Sequence, residues 1–170
     1  LPVDKIYNNL STLLKNENQN IDLALVLTPP KNRKKIYYML ASKNIGIIAE
    51  KPFEANIESA KKSYEIIKNK KIFFASTYNY LGYPALMETK KLIKTLGKIE
   101  NFIFEMPQQS STFFKSKIKK WRIKDEYIPN LHLDLASHLL SFVQYFFNQM
   151  PVAVNSFETR NKGYIQNAFA

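Results

Sequence analysis

Cysteine is absent from this sequence, which removes disulfides, thiolate nucleophiles and cysteine-based zinc sites. That absence suits a reducing compartment. Long apolar runs are missing too. No stretch approaches the roughly 18 residues that a membrane-spanning helix needs, and no signal-peptide pattern opens the chain. The expectation is a soluble, cytoplasmic protein with no membrane partner. Glycine is scarce: four in 170 residues, at positions 46, 82, 97 and 163. None stands close enough to another to build a glycine-rich phosphate loop, whose backbone must approach the phosphates without side chains in the way. Internal repeats and low-complexity linkers are also lacking. Leu1 opens the chain without a methionine, inside what reads as an element, so a segment of a longer polypeptide is expected.

Charge is present in excess of one sign. The net charge is +11, concentrated in "KNRKK" (Lys31 to Lys35) and "KSKIKKWRIK" (Lys115 to Lys124). Such clusters suit nucleic acid or a phosphorylated ligand, or a solvated surface in a lysine-rich chain. No base-stacking platform or reading helix accompanies them, so no nucleic-acid partner is expected.

Helical and strand patterns alternate through the first half. Residues 5–16 carry Ile6, Leu10, Leu13 and Leu14 at helical spacing. "IDLALVLTPP" is a short apolar run closed by Thr28 and two prolines, which reads as a buried strand. A second helix over 33–44, a second buried strand "IGIIAE", a third helix with Asn56 as N-cap and a third strand "KIFFASTYN" follow. Crossovers of this length imply a parallel sheet. After Asn79 the spacing predicts a helix ended by Gly97 and an alternating strand over Ile99 to Phe104. A strongly apolar helix over 131–147 and a strand over Val152 to Thr159 come last. A domain boundary is expected between Asn79 and Pro84.

Three places combine polar groups with element ends. Thr28-Pro29-Pro30 and Glu50-Lys51-Pro52 each close a strand, on the carboxyl edge where open α/β sheets bind ligands. Lys51 could hold a proton near a reacting hydroxyl, or Glu50 and Lys51 could form a surface ion pair worth little. Asp134 and His138 share a helix face at i, i+4. There a carboxylate can orient an imidazole for proton exchange, or the two can make a structural contact in the core. A metal reading using His132 is disfavoured, because His132 lies about 200° from Asp134 on a helical wheel. No metal is expected.

These residues, in this order, resemble the Gfo/Idh/MocA family of NAD(P)-dependent oxidoreductases. The similarity is carried by "IDLALVLTPP", "IIAEKPFEANIESAKK", "STYNYLGYPALMETKKLIKTLGKI", Trp121-Arg122 and "LDLASHLLS". It implies an α/β fold: a partial Rossmann-like parallel sheet, then part of an α/β domain with an open, mostly antiparallel sheet. The corresponding domains are 1–80, partial dinucleotide-binding, and 81–170, partial substrate and oligomerisation domain. The resemblance implies NAD or NADP as cofactor, bound through Thr28, Pro29, Glu50, Lys51, Asn79, Trp121 and Arg122. It makes Lys51, Asp134 and His138 the catalytic set around the carbon that exchanges hydride. Lys51 hydrogen-bonds the reacting oxygen, His138 acts as general acid or base, and Asp134 orients it. In such proteins the peptide between the lysine and the proline is often cis. The sequence also departs from the pattern. Arg33 stands where many members have histidine and Leu81 where many have arginine. Asn130-Leu131-His132 replaces a glycine-rich approach to the Asp-x-x-x-His helix. The opening strand, glycine-rich loop and ribose-reading acidic residue have no counterpart here, and the chain stops early in the second domain's sheet.

The leading expectation is therefore a segment of an NAD(P)-dependent enzyme acting on a small sugar, polyol or nucleotide-sugar, with a homo-oligomer possible through the second sheet. The alternative is a non-catalytic remnant or interaction module that keeps the motifs but cannot hold cofactor alone.

Overall fold

The structure, a computed structural model, describes residues 5–106, 132–161 and 164–169. The chain divides into two compact units, Leu1–Thr77 and Tyr78–Ala170.

The first unit is a three-stranded parallel sheet in the order β1-β2-β3, with β1 Leu23–Val26, β2 Gly46–Glu50 and β3 Phe74–Thr77. Helices α1 (Leu10–Glu17), α2 (Arg33–Ala41) and α3 (Ile57–Lys70) complete it. Local chemistry sets their limits. Asn9 accepts hydrogen bonds from the backbone N–H and hydroxyl of Thr12 at 2.9 and 3.0 Å, so α1 begins after this cap rather than at Lys5. Asn56 accepts from the Ser59 N–H at 2.9 Å, the N-cap expected for α3. Asn44, at φ 57°, turns the chain out of α2 in the left-handed conformation that asparagine tolerates. Gly46 then starts β2 in a space that admits no side chain: a Cβ there would meet Leu23 Cδ1 at 3.0 Å and the Asp22 carbonyl at 3.2 Å.

Ladder register and strand alternation put Ala24, Val26, Ile47, Ala49 and Phe74 on one face. Val26, Ile47 and Ala49 pack there with Leu14 of α1 and Tyr37 and Leu40 of α2 into the core. The opposite face departs from expectation. A parallel strand is normally buried on both sides, yet Leu23 and Leu25 are 46% and 65% exposed. Among the described residues that face of β1 is only partly covered.

The second unit contains a 3₁₀ turn at Asn79–Gly82, α4 (Pro84–Ile93) and α5 (Ser137–Phe147). Gly97 has the positive φ, 76°, that suits the end of this helical region, although α4 itself stops at Ile93. The expected strand over Ile99 to Phe104 is not found as a paired strand among the described residues. Its alternation is spent on packing: Phe102 stacks on Phe147 at 4.5 Å between ring centroids and Phe104 on Phe146 at 5.9 Å. The last helix also differs, for His132–Ala136 form a π-helical turn ahead of α5. Strand β4 begins at Phe157 rather than Val152 and pairs antiparallel with β5, Tyr164–Phe169, which the sequence pattern did not single out. This two-stranded ladder is the second unit's sheet among the described residues, not the open sheet that the resemblance implied.

Candidate functional site

Strand ends in a parallel sheet leave carbonyls without ladder partners, and buried carbonyls need donors. At the carboxyl edge of the first unit one side chain supplies them. Arg33, the first residue of α2, is 2% exposed. Its Nε donates to the Thr28 carbonyl at 2.7 Å and its Nη2 donates to the same oxygen. Its Nη1 donates to the carbonyls of Glu50 and Pro52, the latter at 2.5 Å. A guanidinium taken out of water is costly unless its donors are used. Here they bridge the ends of β1 and β2. The expectation that "KNRKK" is a wholly surface cluster is thus corrected at its centre: Lys31, Lys34 and Lys35 are exposed, whereas Arg33 is core.

The Glu50 to Glu54 turn is held at almost every step. The Glu50 carboxylate accepts from the Thr77 hydroxyl at 2.7 Å. The Lys51–Pro52 peptide is cis. Tyr37 donates its hydroxyl to the Phe53 carbonyl at 3.1 Å, and the Phe53 ring stacks on Tyr37 at 5.5 Å and meets Phe74 edge-on at 5.0 Å. Burial pushes the Tyr37 phenol up to about 12, so it remains a donor. Glu54, 6% exposed, accepts from the Ser63 hydroxyl at 2.7 Å. Burial raises its carboxyl above the usual range, opposed by the Ser63 hydrogen bond and the Arg33 charge. Lys51 itself is half-buried, while Thr28 and Pro29 are exposed on the neighbouring strand end.

In the second unit, His138 is 3% exposed on α5. The rings of Tyr80 and Tyr78 meet its imidazole edge-on at 4.6 and 6.1 Å, and burial raises the Tyr78 phenol. The Ser141 hydroxyl donates to the His138 carbonyl at 2.7 Å. Asp134 lies half-buried in the π-helical turn just before α5. Such turns are rare and recur at functional sites. Asn79 is exposed at the start of the 3₁₀ turn. Trp121 and Arg122 lie outside the described residues. Among the described residues no three His, Cys, Asp or Glu side chains are grouped so as to hold a metal ion, and no helix is long and apolar enough to cross a membrane.

Sequence reasoning named Thr28, Pro29, Glu50 and Lys51 together, and the structure joins their two strand ends through Arg33. It passed over the roles of Arg33, Tyr37, Glu54 and Thr77. No local signal marked Arg33: it follows Pro30 by three residues inside a lysine-rich run, and the Glu50 and Pro52 carbonyls it binds lie 17 and 19 residues further on.

A parallel sheet with a polar carboxyl edge, ordered by crossover helices, places the first unit in the open α/β class of domain, in which ligands bind at that edge. Residues 2–78, nearly the whole of the first unit, match the Gfo/Idh/MocA family model, described as "Oxidoreductase family, NAD-binding Rossmann fold". The chain is 26% identical over 143 residues to an uncharacterized protein of Saccharomyces cerevisiae, covering 84% of this chain and 40% of that protein. It is 27% identical over 143 residues to levoglucosan dehydrogenase of Pseudarthrobacter phenanthrenivorans, covering 82% and 36%. A crystal structure of myo-inositol 2-dehydrogenase from Lactobacillus plantarum shares the fold with a TM-score of 0.72 at 18% identity, covering 90% of this chain and 44% of that one. The chain thus spans less than half the length of these relatives.

The residues present fit a nicotinamide cofactor in part. The clamped strand ends at Thr28 and Glu50 offer the polar carboxyl edge that such a ring meets in Rossmann domains. The pyrophosphate needs close backbone at a glycine-rich turn, and the four scattered glycines of this sequence supply none.

Proposed function

We propose that the intact protein transfers hydride between NAD and a hydroxyl or carbonyl carbon of a sugar or polyol. The observation that carries this reading is the clamped Glu50-Lys51-Pro52 turn beside Thr28, in a unit of an NAD-binding oxidoreductase family. The names of the relatives, levoglucosan dehydrogenase and myo-inositol 2-dehydrogenase, support the substrate class. Bound nicotinamide would supply the hydride chemistry. Thr28, Pro29, Glu50 and Asn79 would line its reactive end, together with Trp121 and Arg122. Lys51 would donate a hydrogen bond to the substrate's reacting oxygen. His138 would exchange the hydroxyl proton, with Asp134 fixing the imidazole's orientation. The pairing of Lys51 with His138 rests on the family resemblance. Use of NADP, the division into a dinucleotide-binding 1–80 and a substrate-binding 81–170, and assembly through the second sheet belong to the same proposal.

Lys51→Ala and His138→Ala in the intact protein test it. Each is expected to cut kcat by roughly a hundredfold or more while cofactor binding changes little. Turnover left intact by either substitution would remove that residue's assigned role. The second reading is a non-catalytic module that keeps the strand-end motifs without turnover. An intact protein that neither binds nor reduces NAD with any sugar or polyol would establish that reading instead.

A further inference from the structure

We propose that Arg33 is a positioning residue for Lys51, a role that rests on the proposed hydride-transfer function. Its place in the chain argues against a merely local purpose. A cation in the first turn of a helix opposes the helix dipole, and a buried one loses its hydration. Both costs are offset by the carbonyls it gathers. The two carbonyls that Nη1 holds belong to Glu50 and Pro52, the residues immediately before and after Lys51. The other edge of the guanidinium holds the Thr28 carbonyl, on the strand end assigned to the nicotinamide. One rigid, planar group therefore fixes the backbone on both sides of Lys51 and ties it to the cofactor edge.

Three more side chains brace the same turn: Thr77 on the Glu50 carboxylate, Tyr37 on the Phe53 carbonyl and Ser63 on Glu54. A turn held at residues 50, 52, 53 and 54 leaves Lys51 only its own side-chain torsions. Such pre-orientation matters because displacing a reacting group by about 1 Å can cost on the order of a hundredfold in rate. Lysine could keep the charge at position 33, but its compact ammonium has no planar fork with which to span three carbonyls. Arginine at this position is thus specific in a way that charge alone is not.

The test compares wild type, Arg33→Lys, Arg33→Ala and Tyr37→Phe in the intact protein, by steady-state kinetics and amide hydrogen exchange. Arg33→Lys is expected to lower kcat on the order of tenfold to a hundredfold with cofactor KM within about twofold. Exchange at Lys51, Phe53 and Glu54 should quicken while that of Ile47 and Ile48 in β2 holds. Tyr37→Phe should loosen the same turn to a smaller degree, and it serves where Arg33→Ala does not fold. Unchanged exchange in Arg33→Lys and Tyr37→Phe would overturn the clamp. Quicker exchange with unchanged kcat would overturn the positioning role and leave the proposed function standing. A wild-type protein without hydride transfer would overturn the proposed function and, with it, the catalytic purpose of Arg33, while the exchange result still decides the clamp.

Discussion

At the scale of single residues, the first unit contains two carboxylates whose surroundings push them in opposite directions. Glu17 accepts from Lys5 at 2.6 Å, Tyr7 at 2.5 Å and Asn20 at 3.2 Å, and the hydrogen bonds from Lys5 and Tyr7 lower its pKa from 4.5 to about 2. Its contribution to stability is complete above 4.5 and is lost as pH falls toward 2. Glu54 is held above 4.5, chiefly by burial. The folded state keeps that proton longer than the unfolded chain does, so stability declines as pH rises from 4.5 through the raised folded value. Glu54→Gln removes this titration. The variant should gain stability relative to wild type between about pH 4 and about pH 7, read from thermal midpoints. A wild-type-minus-variant difference that is the same at both pH values would show that Glu54 ionises without cost.

At the scale of elements, caps and partners decide where each segment starts and whether it forms. Helix α3 is polar apart from its apolar stripe and the buried Ser63, and its start is fixed by one side chain, Asn56. Asn56→Ala should lower stability by about 1 kcal/mol, measured as a fall in the denaturation midpoint, and Asn56→Asp should restore most of it. An alanine variant as stable as wild type would mean that the α2–α3 packing alone sets the helix start. The segment at Ile99 to Phe104 teaches the converse. Alternation prepares a strand, but among the described residues no strand pairs with this segment and its backbone groups have no ladder there to join. Its aromatic side chains instead dock on Phe142, Phe146 and Phe147 of α5.

At the scale of the whole chain, the exposed face of β1 and the missing glycine-rich loop bear on one question, whether these 170 residues hold cofactor by themselves. The proposed nicotinamide edge, with no pyrophosphate cradle within these 170 residues, forfeits the charge-assisted backbone contacts that anchor a dinucleotide. The 170-residue chain is therefore expected to bind NADH weakly, and a fluorescence titration would show little saturable change. Tight, saturable binding would mean that the strand-end residues suffice.

The sequence by itself determined the alternation of helices and strands in the first unit, the N-cap at Asn56, and the placing of Thr28 and Glu50-Lys51 at strand ends. These follow from periodicity and turn chemistry, which are local in the chain. Only the tertiary structure decided that Arg33 is buried while Lys34 and Lys35 beside it are not. It alone decided that one face of β1 is core and the other exposed, and that His138 packs among tyrosines. Burial and pairing depend on atoms brought together from distant parts of the chain. Arg33 meets Glu50 and Pro52 across 17 and 19 residues, and no local pattern encodes that contact.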